Sequence, residues 1–241
     1  MFFRILVQLI AYFITISLIF SSDYNSQNFR IGLVMYEPGD WNSDQSAITE
    51  LIKFINLNTN IPLKTINRDI DLKVKIGSNT FYQTKYLYMT GHGEKRGNGF
   101  WHGIKLEKNE IKALRKHLLN GGFLHVDDNY NFDKTFFREM KKVFPNKEWV
   151  EIDNQHEIFN IFYKFNNGLP KIHDHDNKKP KMLALYDNEK IISIYTLECD
   201  LGDGWESNEE HERVTGKILN QNKRLQALKM GANIVIFALS Q

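Results

Sequence analysis

The residues able to do chemistry in this sequence fall in a few short clusters. The densest is Gly121-Gly122-Phe123-Leu124-His125-Val126-Asp127-Asp128-Asn129, an apolar stretch that enters through two glycines and closes on adjacent carboxylates. The others are Gly39-Asp40-Trp41, Gly91-His92-Gly93, Gln155-His156 and Asp200-Leu201-Gly202-Asp203-Gly204-Trp205. Histidines and carboxylates together ligate divalent metals, Zn or Mn suiting a mixed set. A metal held this way lowers the pKa of bound water and readies it for hydrolysis. On that chemistry His92, Asp127 and His156 are the candidate metal ligands. Without a metal the clusters make a polar pocket, in which Asp127 and Asp203 accept hydrogen bonds from a sugar or an amine while Trp41 or Trp205 stacks on it. The ligand-binding candidates are then Asp40, Trp41, His92, Asp127, Asp128, His156, Asp203 and Trp205. No spacing here matches a diagnostic signature such as His-Glu-x-x-His.

Each cluster also has a plainer reading. Asp127 can close the next turn through its own backbone, as Asp does after strands. His125 lies two residues before Asp127 on the same strand face, where a packed, hydrogen-bonded histidine is expected. His173-Asp174-His175 has the look of a metal clip, yet its Lys- and Pro-containing surroundings read as a solvated loop. Asp203 and Glu206, set around Gly202 and Gly204, read as a mobile lid that carries an acid to the site.

Alternating strands and helices must position these residues. Phe29 to Tyr36 is an apolar run suited to a buried strand, and Ile48, Leu51, Ile52 and Ile55 then mark one face of a helix. Ile61 to Ile66 is the candidate second strand. Tyr86 to Thr90 is the third, broken by Gly91-His92-Gly93. Ile111, Leu114 and Leu118 give an amphipathic helix that Asn120-Gly121 terminates. The strand Phe123 to Val126 follows, and Asp133 starts a helix that Pro145 ends. Trp149 to Ile152, Met182 to Tyr186 and Lys190 to Thr196 read as further strands, the last two joined by a tight turn at Asp187-Asn188-Glu189. Helices over Glu209 to Asn220 and Leu225 to Leu239 close the chain. The alternation predicts a doubly wound, flavodoxin-like arrangement: a mainly parallel sheet with helices on both faces. Ligands in such sheets collect at the carboxyl ends of the strands. The loops at Gly39 to Ser43, Gly91 to Gly93 and Asp127 to Asn129 would then share one rim.

Composition narrows the classes. The chain has 241 residues, 42% of them hydrophobic, and a formal net charge of +2. This suits a sizeable core, one domain over 28–241, and no nucleic-acid partner. Met1 to Arg4 followed by the apolar run Ile5 to Phe20 has the layout of a signal peptide or N-terminal anchor over 1–22, so the protein is expected to be exported, and either periplasmic or membrane-anchored facing the periplasm. Contact with the membrane would come only through that segment. Cys199 is the single cysteine, so no disulfide forms within the chain.

Gly39-Asp40-Trp41, Thr90-Gly91-His92-Gly93, Gly121 to Leu124 with Asp127-Asp128, Asn154-Gln155-His156, Asp200 to Trp205 and Gly231-Ala232-Asn233-Ile234-Val235 occur in an order that resembles the bacterial family called domain of unknown function 4159. The resemblance runs from about residue 28 to the end and implies a class I glutamine amidotransferase-like fold. It supplies no substrate. Glutaminase chemistry needs a thiolate on a strand-to-helix elbow with a His base in reach. Cys199 sits between Glu198 and Asp200, two acids that oppose a thiolate. Three readings follow: a non-glutaminase module that binds a small molecule or an envelope protein, a metal-dependent hydrolase using the same rim residues, and a structural envelope component. A divalent metal is the one cofactor the residues suggest.

Overall fold

The computed structural model describes residues 29–63, 72–93, 103–173 and 177–241. The N-terminal segment read as a signal or anchor lies outside them, as do residues 174–176 of the His173-Asp174-His175 stretch. Among the described residues seven strands form one sheet: β1 (Ile31–Met35), β2 (Lys73–Lys75), β3 (Tyr86–His92), β4 (Phe123–Tyr130), β5 (Trp149–Glu151), β6 (Lys181–Asp187) and β7 (Lys190–Leu197), in the order β2-β1-β3-β4-β7-β6-β5. The first five in that order pair in parallel, and β6 and β5 continue antiparallel. The fold is therefore α/β with a mostly parallel, mixed sheet.

Strand side chains alternate between two cores. Ile31, Leu33, Tyr86, Tyr88 and Phe123 face one, Val34, Leu87, Met89, Leu124 and Val126 the other. The first core is covered by helix α1 (Ala47–Asn58), whose Ile48, Leu51, Ile52 and Ile55 are buried at the expected three- and four-residue spacing. The second is covered by α3 (Lys108–Leu119) and α4 (Asp133–Val143), with the short α2 (Asn79–Gln83) contributing Phe81. Helix α3 starts in a capping box made by Glu107 and Glu110, and the chain leaves it through Gly121 at φ +89°.

Three helices close the chain: the short α5 (Leu201–Trp205) and α6 (Asn208–Thr215) and the long α7 (Gln221–Ser240). Helix α7 is buried beside α1 on the first core. Its Gly231 permits that approach, since a β-carbon there would stand 2.7 Å from Leu51 and 2.8 Å from Trp205. Asn233 on the same helix donates to the carbonyls of Ile158 and Tyr163 and accepts from Tyr163 N–H, so it stitches down the 3-10 turn Glu157–Phe159.

Several expectations are corrected. The second strand among the described residues is Lys73–Lys75; of the expected strand Ile61 to Ile66, Ile61 to Leu63 are not in a strand and residues 64–66 lie outside the described residues. Gly91 and His92 do not break β3 but form its last residues. Asp127 and Asp128 lie within β4, which runs on to Tyr130. Residues 201–205 are a largely buried helical turn rather than a mobile lid.

Candidate functional site

Strands β1, β3, β4 and β7 end on one rim. The loop after β1 carries Asp40, Trp41 and Asp44, β3 ends on His92, β4 carries Asp127, Asp128 and Asn129, and β7 leads through Cys199 and Asp200 into α5 with Asp203 and Trp205. Asp40 and His92 form a pair: the His92 backbone N–H donates to Asp40 Oδ1 at 2.9 Å, and His92 Nδ1 bonds Oδ2 at 2.5 Å. Burial works to raise the Asp40 pKa, but the hydrogen bonds from His92 overcome it and leave it lowered. Trp41 is half-buried, with the Lys73 ammonium 5.3 Å from its ring centre.

Asp127 is fully buried and surrounded by donors. Gly202 N–H donates to its Oδ2 at 2.7 Å, Tyr88 O–H reaches the same oxygen at 3.4 Å, and Thr196 O–H donates to Oδ1. Behind Thr196 stands His125, 3.1 Å from the threonine hydroxyl through Nε2 and 3.0 Å from Tyr86 O–H through Nδ1. Burial holds the His125 pKa down at about 3, so the ring is neutral. These contacts order the protons: Tyr86 donates to His125, Nε2–H donates to Thr196, and Thr196 donates to Asp127. Burial nevertheless pushes the Asp127 carboxyl up to about 6, against the hydrogen bonds from Thr196 and Gly202. Asp128 accepts from Phe132 N–H at 2.9 Å at the entry to α4, and burial raises it to about 8.

The two remaining candidates are placed differently from expectation. Trp205 does not present a stacking face: it is 1% exposed, its Nε1–H donates to Ala227 O at 2.8 Å, and it packs on Tyr88 and His125. His156 accepts from Ile158 N–H and packs on Phe237. Phe237 lies ten residues beyond Ala227 along α7, about 15 Å at the rise of a helix. The end of α7 meets the start of β7, where Gln241 bonds Ile191. His156 therefore sits toward the amino ends of the strands, away from His92 and Asp127, and the three do not form a metal centre.

The rim instead gathers acids around Asp203. The ligand atoms of Asp44, Asp203 and Glu206 all lie within 4.8 Å of one another, and so do those of His173, Asp200 and Asp203. His173 Nδ1 is 3.0 Å from Asp203 and 3.4 Å from Asp200, whose carboxylates push the imidazole up to about 10. His173 stays in a loop with its side chain 43% exposed, as expected, and these ion pairs add it to the site. Burial, then Asp203 and Asp200, raises the Asp44 carboxyl well above its ordinary value; burial, then Asp203 and Asp44, raises Glu206 to about 9. Burial holds the His211 pKa down, and its Nδ1 lies within hydrogen-bond distance of Glu206 Oε2 at 3.2 Å. Asp200 adopts a left-handed φ of +55°, as does Glu198 at +58°, on either side of Cys199. This turn is strained, but its thiol is no nucleophile. Cys199 is fully buried, 3.7 Å from Asp127 Oδ1, and burial followed by that carboxylate pushes its pKa well up.

Sequence reasoning missed Asp44 as a member of the site, read His173 as part of a solvated loop, and brought Glu206 to the site only as part of a lid. Asp44 precedes a helix and resembles an ordinary cap. Its membership depends on helices α5 and α6, which are brought over the start of α1 by a clasp: Glu210 on α6 accepts from Gln45 N–H at 3.1 Å and Ser46 N–H at 2.7 Å, doing the work of an N-cap from another helix.

The comparison with curated proteins returned no match. A family model described as "Domain of unknown function (DUF4159)" matches residues 30–239, nearly all of the strands and helices above. The match covers most of the sequence, and the chain belongs to the DUF4159 family.

Proposed function

We propose that this chain is a non-glutaminase binding module whose ligand carries positive charge and docks at the carboxyl-terminal rim of the parallel strands. The carrying observation is the clustering of Asp44, Asp203 and Glu206 within 4.8 Å, beside Asp200 and the Asp40–His92 pair. Packed acids repel one another and favour whatever cation enters among them. The buried, acid-flanked Cys199 supports a noncovalent role. The strand order β2-β1-β3-β4 supports a flavodoxin-like scaffold, and with the family resemblance a class I glutamine amidotransferase-like one, as a single domain from about residue 28. The reading includes export, to the periplasm or tethered at the membrane, on the strength of the charged start and apolar run of residues 1–20.

A second reading, a hydrolase, is favoured by the Asp40–His92 pair. A carboxylate that orients an imidazole is the arrangement of a general base acting on water. The test is a thermal-unfolding screen of the chain with spermidine, glucosamine, glutamine and divalent chlorides, repeated on Asp203→Asn. Stabilisation by a cationic probe that the variant loses is the expected result. No stabilisation by any probe overturns the binding reading, and glutamine hydrolysis lost on Cys199→Ala overturns its noncovalent part.

A further inference from the structure

Among the described residues most buried polar groups around this rim have partners, but Asp44 Oδ2, like Thr90 Oγ1, has none. Asp44 is 7% exposed. Its Oδ1 accepts from Asn129 Nδ2 at 3.1 Å, while Oδ2 is buried with no hydrogen-bond partner. A buried carboxylate oxygen without a donor costs free energy, and native proteins rarely leave one so unless something else satisfies it. Oδ2 lies over Gly202, where a β-carbon would come within 2.2 Å of it, so the residue type at 202 keeps space open beside the oxygen. Asp203 and Glu206 follow on the same helical turn and bring their carboxylates to within 4.8 Å of Asp44.

We propose that Asp44, Asp203 and Glu206 form a binding site for an oxygen-ligated divalent cation, Ca2+ or Mn2+. This rests on the reading of the rim as a receptor for positive charge and names the charge. The donor set is all carboxylate, which selects hard cations over Zn or Cu. Calcium bonds oxygen at about 2.3–2.6 Å and so bridges oxygens up to 4.8 Å apart, whereas Mg2+ at about 2.0–2.1 Å requires the acids to close in. His173 is the supporting cation on the other side of Asp203, where it orients that carboxylate at 3.0 Å. Asn129 does the same for Asp44 by fixing Oδ1 and leaving Oδ2 to the ion. The trio was not legible from spacing, because Asp44 lies about 160 residues before Asp203 and Glu206.

The experiment uses the full chain, stripped with EDTA and desalted. Titration with CaCl2 or MnCl2 is followed by calorimetry, and Mn2+ also by loss of the free-ion electron paramagnetic resonance signal. Expected are about one ion per chain, a higher unfolding midpoint, and an affinity about 10–100-fold weaker in Asp44→Asn and in Glu206→Gln, the size of loss that perturbed metal sites show. Glu148→Gln, on the surface near the edge strand β5, leaves binding unchanged. Should Asp44→Asn fail to fold, Glu206→Gln and the wild-type Mn2+ signal still decide. Wild-type chain that binds neither ion, or variants that bind as tightly as wild type, overturn the site. If spermidine stabilises the chain while Ca2+ and Mn2+ do not, the metal site falls and the cation-binding rim stands. If no cation binds, both fall.

Discussion

Asp127 and Asp44 are buried carboxylates on the same rim, and they are treated in opposite ways. Asp127 is filled with donors: a backbone N–H, a threonine hydroxyl, a tyrosine hydroxyl and a thiol all turn toward it. Asp44 has Asn129 on one oxygen and nothing on the other. The first is a structural tie that fixes the start of α5 to the end of β4. The second is an acid held ready for something the polypeptide does not supply. Burial and charge alone do not separate them, because both carboxyls are raised by desolvation. The donor inventory does.

This contrast can be broken in several places. The largest effect belongs to Asp127→Ala, which orphans Gly202 N–H in the interior, leaves the Thr196 hydroxyl only the Val126 carbonyl at 3.2 Å to donate to, and should cost about 2–4 kcal/mol by denaturant unfolding. A cost below that of an ordinary surface change would remove Asp127 from its structural role. Asp128→Asn acts through pH. The folded Asp128 keeps its proton up to about 8 while the unfolded one loses it near 3.8, so the folded state binds more protons across that window. Stability of the wild type therefore falls as pH rises from about 4 to 8, and the Asn variant should flatten that slope and be the more stable protein at pH 8. An unchanged slope in a series of melts would show that Asp128 is not its source. Asp44→Asn in EDTA should be neutral or stabilising by about 1 kcal/mol, since it removes an unsatisfied buried acid. If it instead destabilises as much as Asp127→Ala, the two acids are alike and the contrast is lost. The smallest effect is expected from His92→Ala, about 0.5–1 kcal/mol for a partly exposed pair, read most clearly as a rise in the Asp40 pKa by NMR titration.

The parts of the fold carried by apolar pattern were legible. The runs at Phe29 to Tyr36, Tyr86 to Thr90 and Lys190 to Thr196 and the helix face Ile48-Leu51-Ile52-Ile55 bury what they were expected to bury, because hydrophobic period dictates which face is covered. Lys73–Lys75 was not legible, since an edge strand with Val74 alone buried has no period to read. The α5 segment misled through its glycines. Gly202 and Gly204 do not confer mobility; they let the turn press against Asp44, Tyr88 and Ala227. Trp205 misled for a related reason, as an aromatic beside acids suggests a stacking platform until its indole N–H is found satisfied in the core. Of the site, the rim was foreseen from strand ends and an acid from the Asp203–Glu206 turn was expected there, whereas Asp44 and His173 join it only through tertiary packing that no local spacing encodes. The exclusion of Cys199 as a nucleophile needed only its neighbours in sequence, and burial adds a second cause.

The clasp between Glu210 and the start of α1 joins groups 164 residues apart in the chain. During synthesis the sheet strands emerge before α6 does, so the loop bearing Asp44 waits through most of translation without the carboxylate that caps its helix. A nascent chain stopped after β7 would hold every strand of the sheet and no complete rim. The site is thus a late product of folding, and it exists only in molecules whose last helices have already docked.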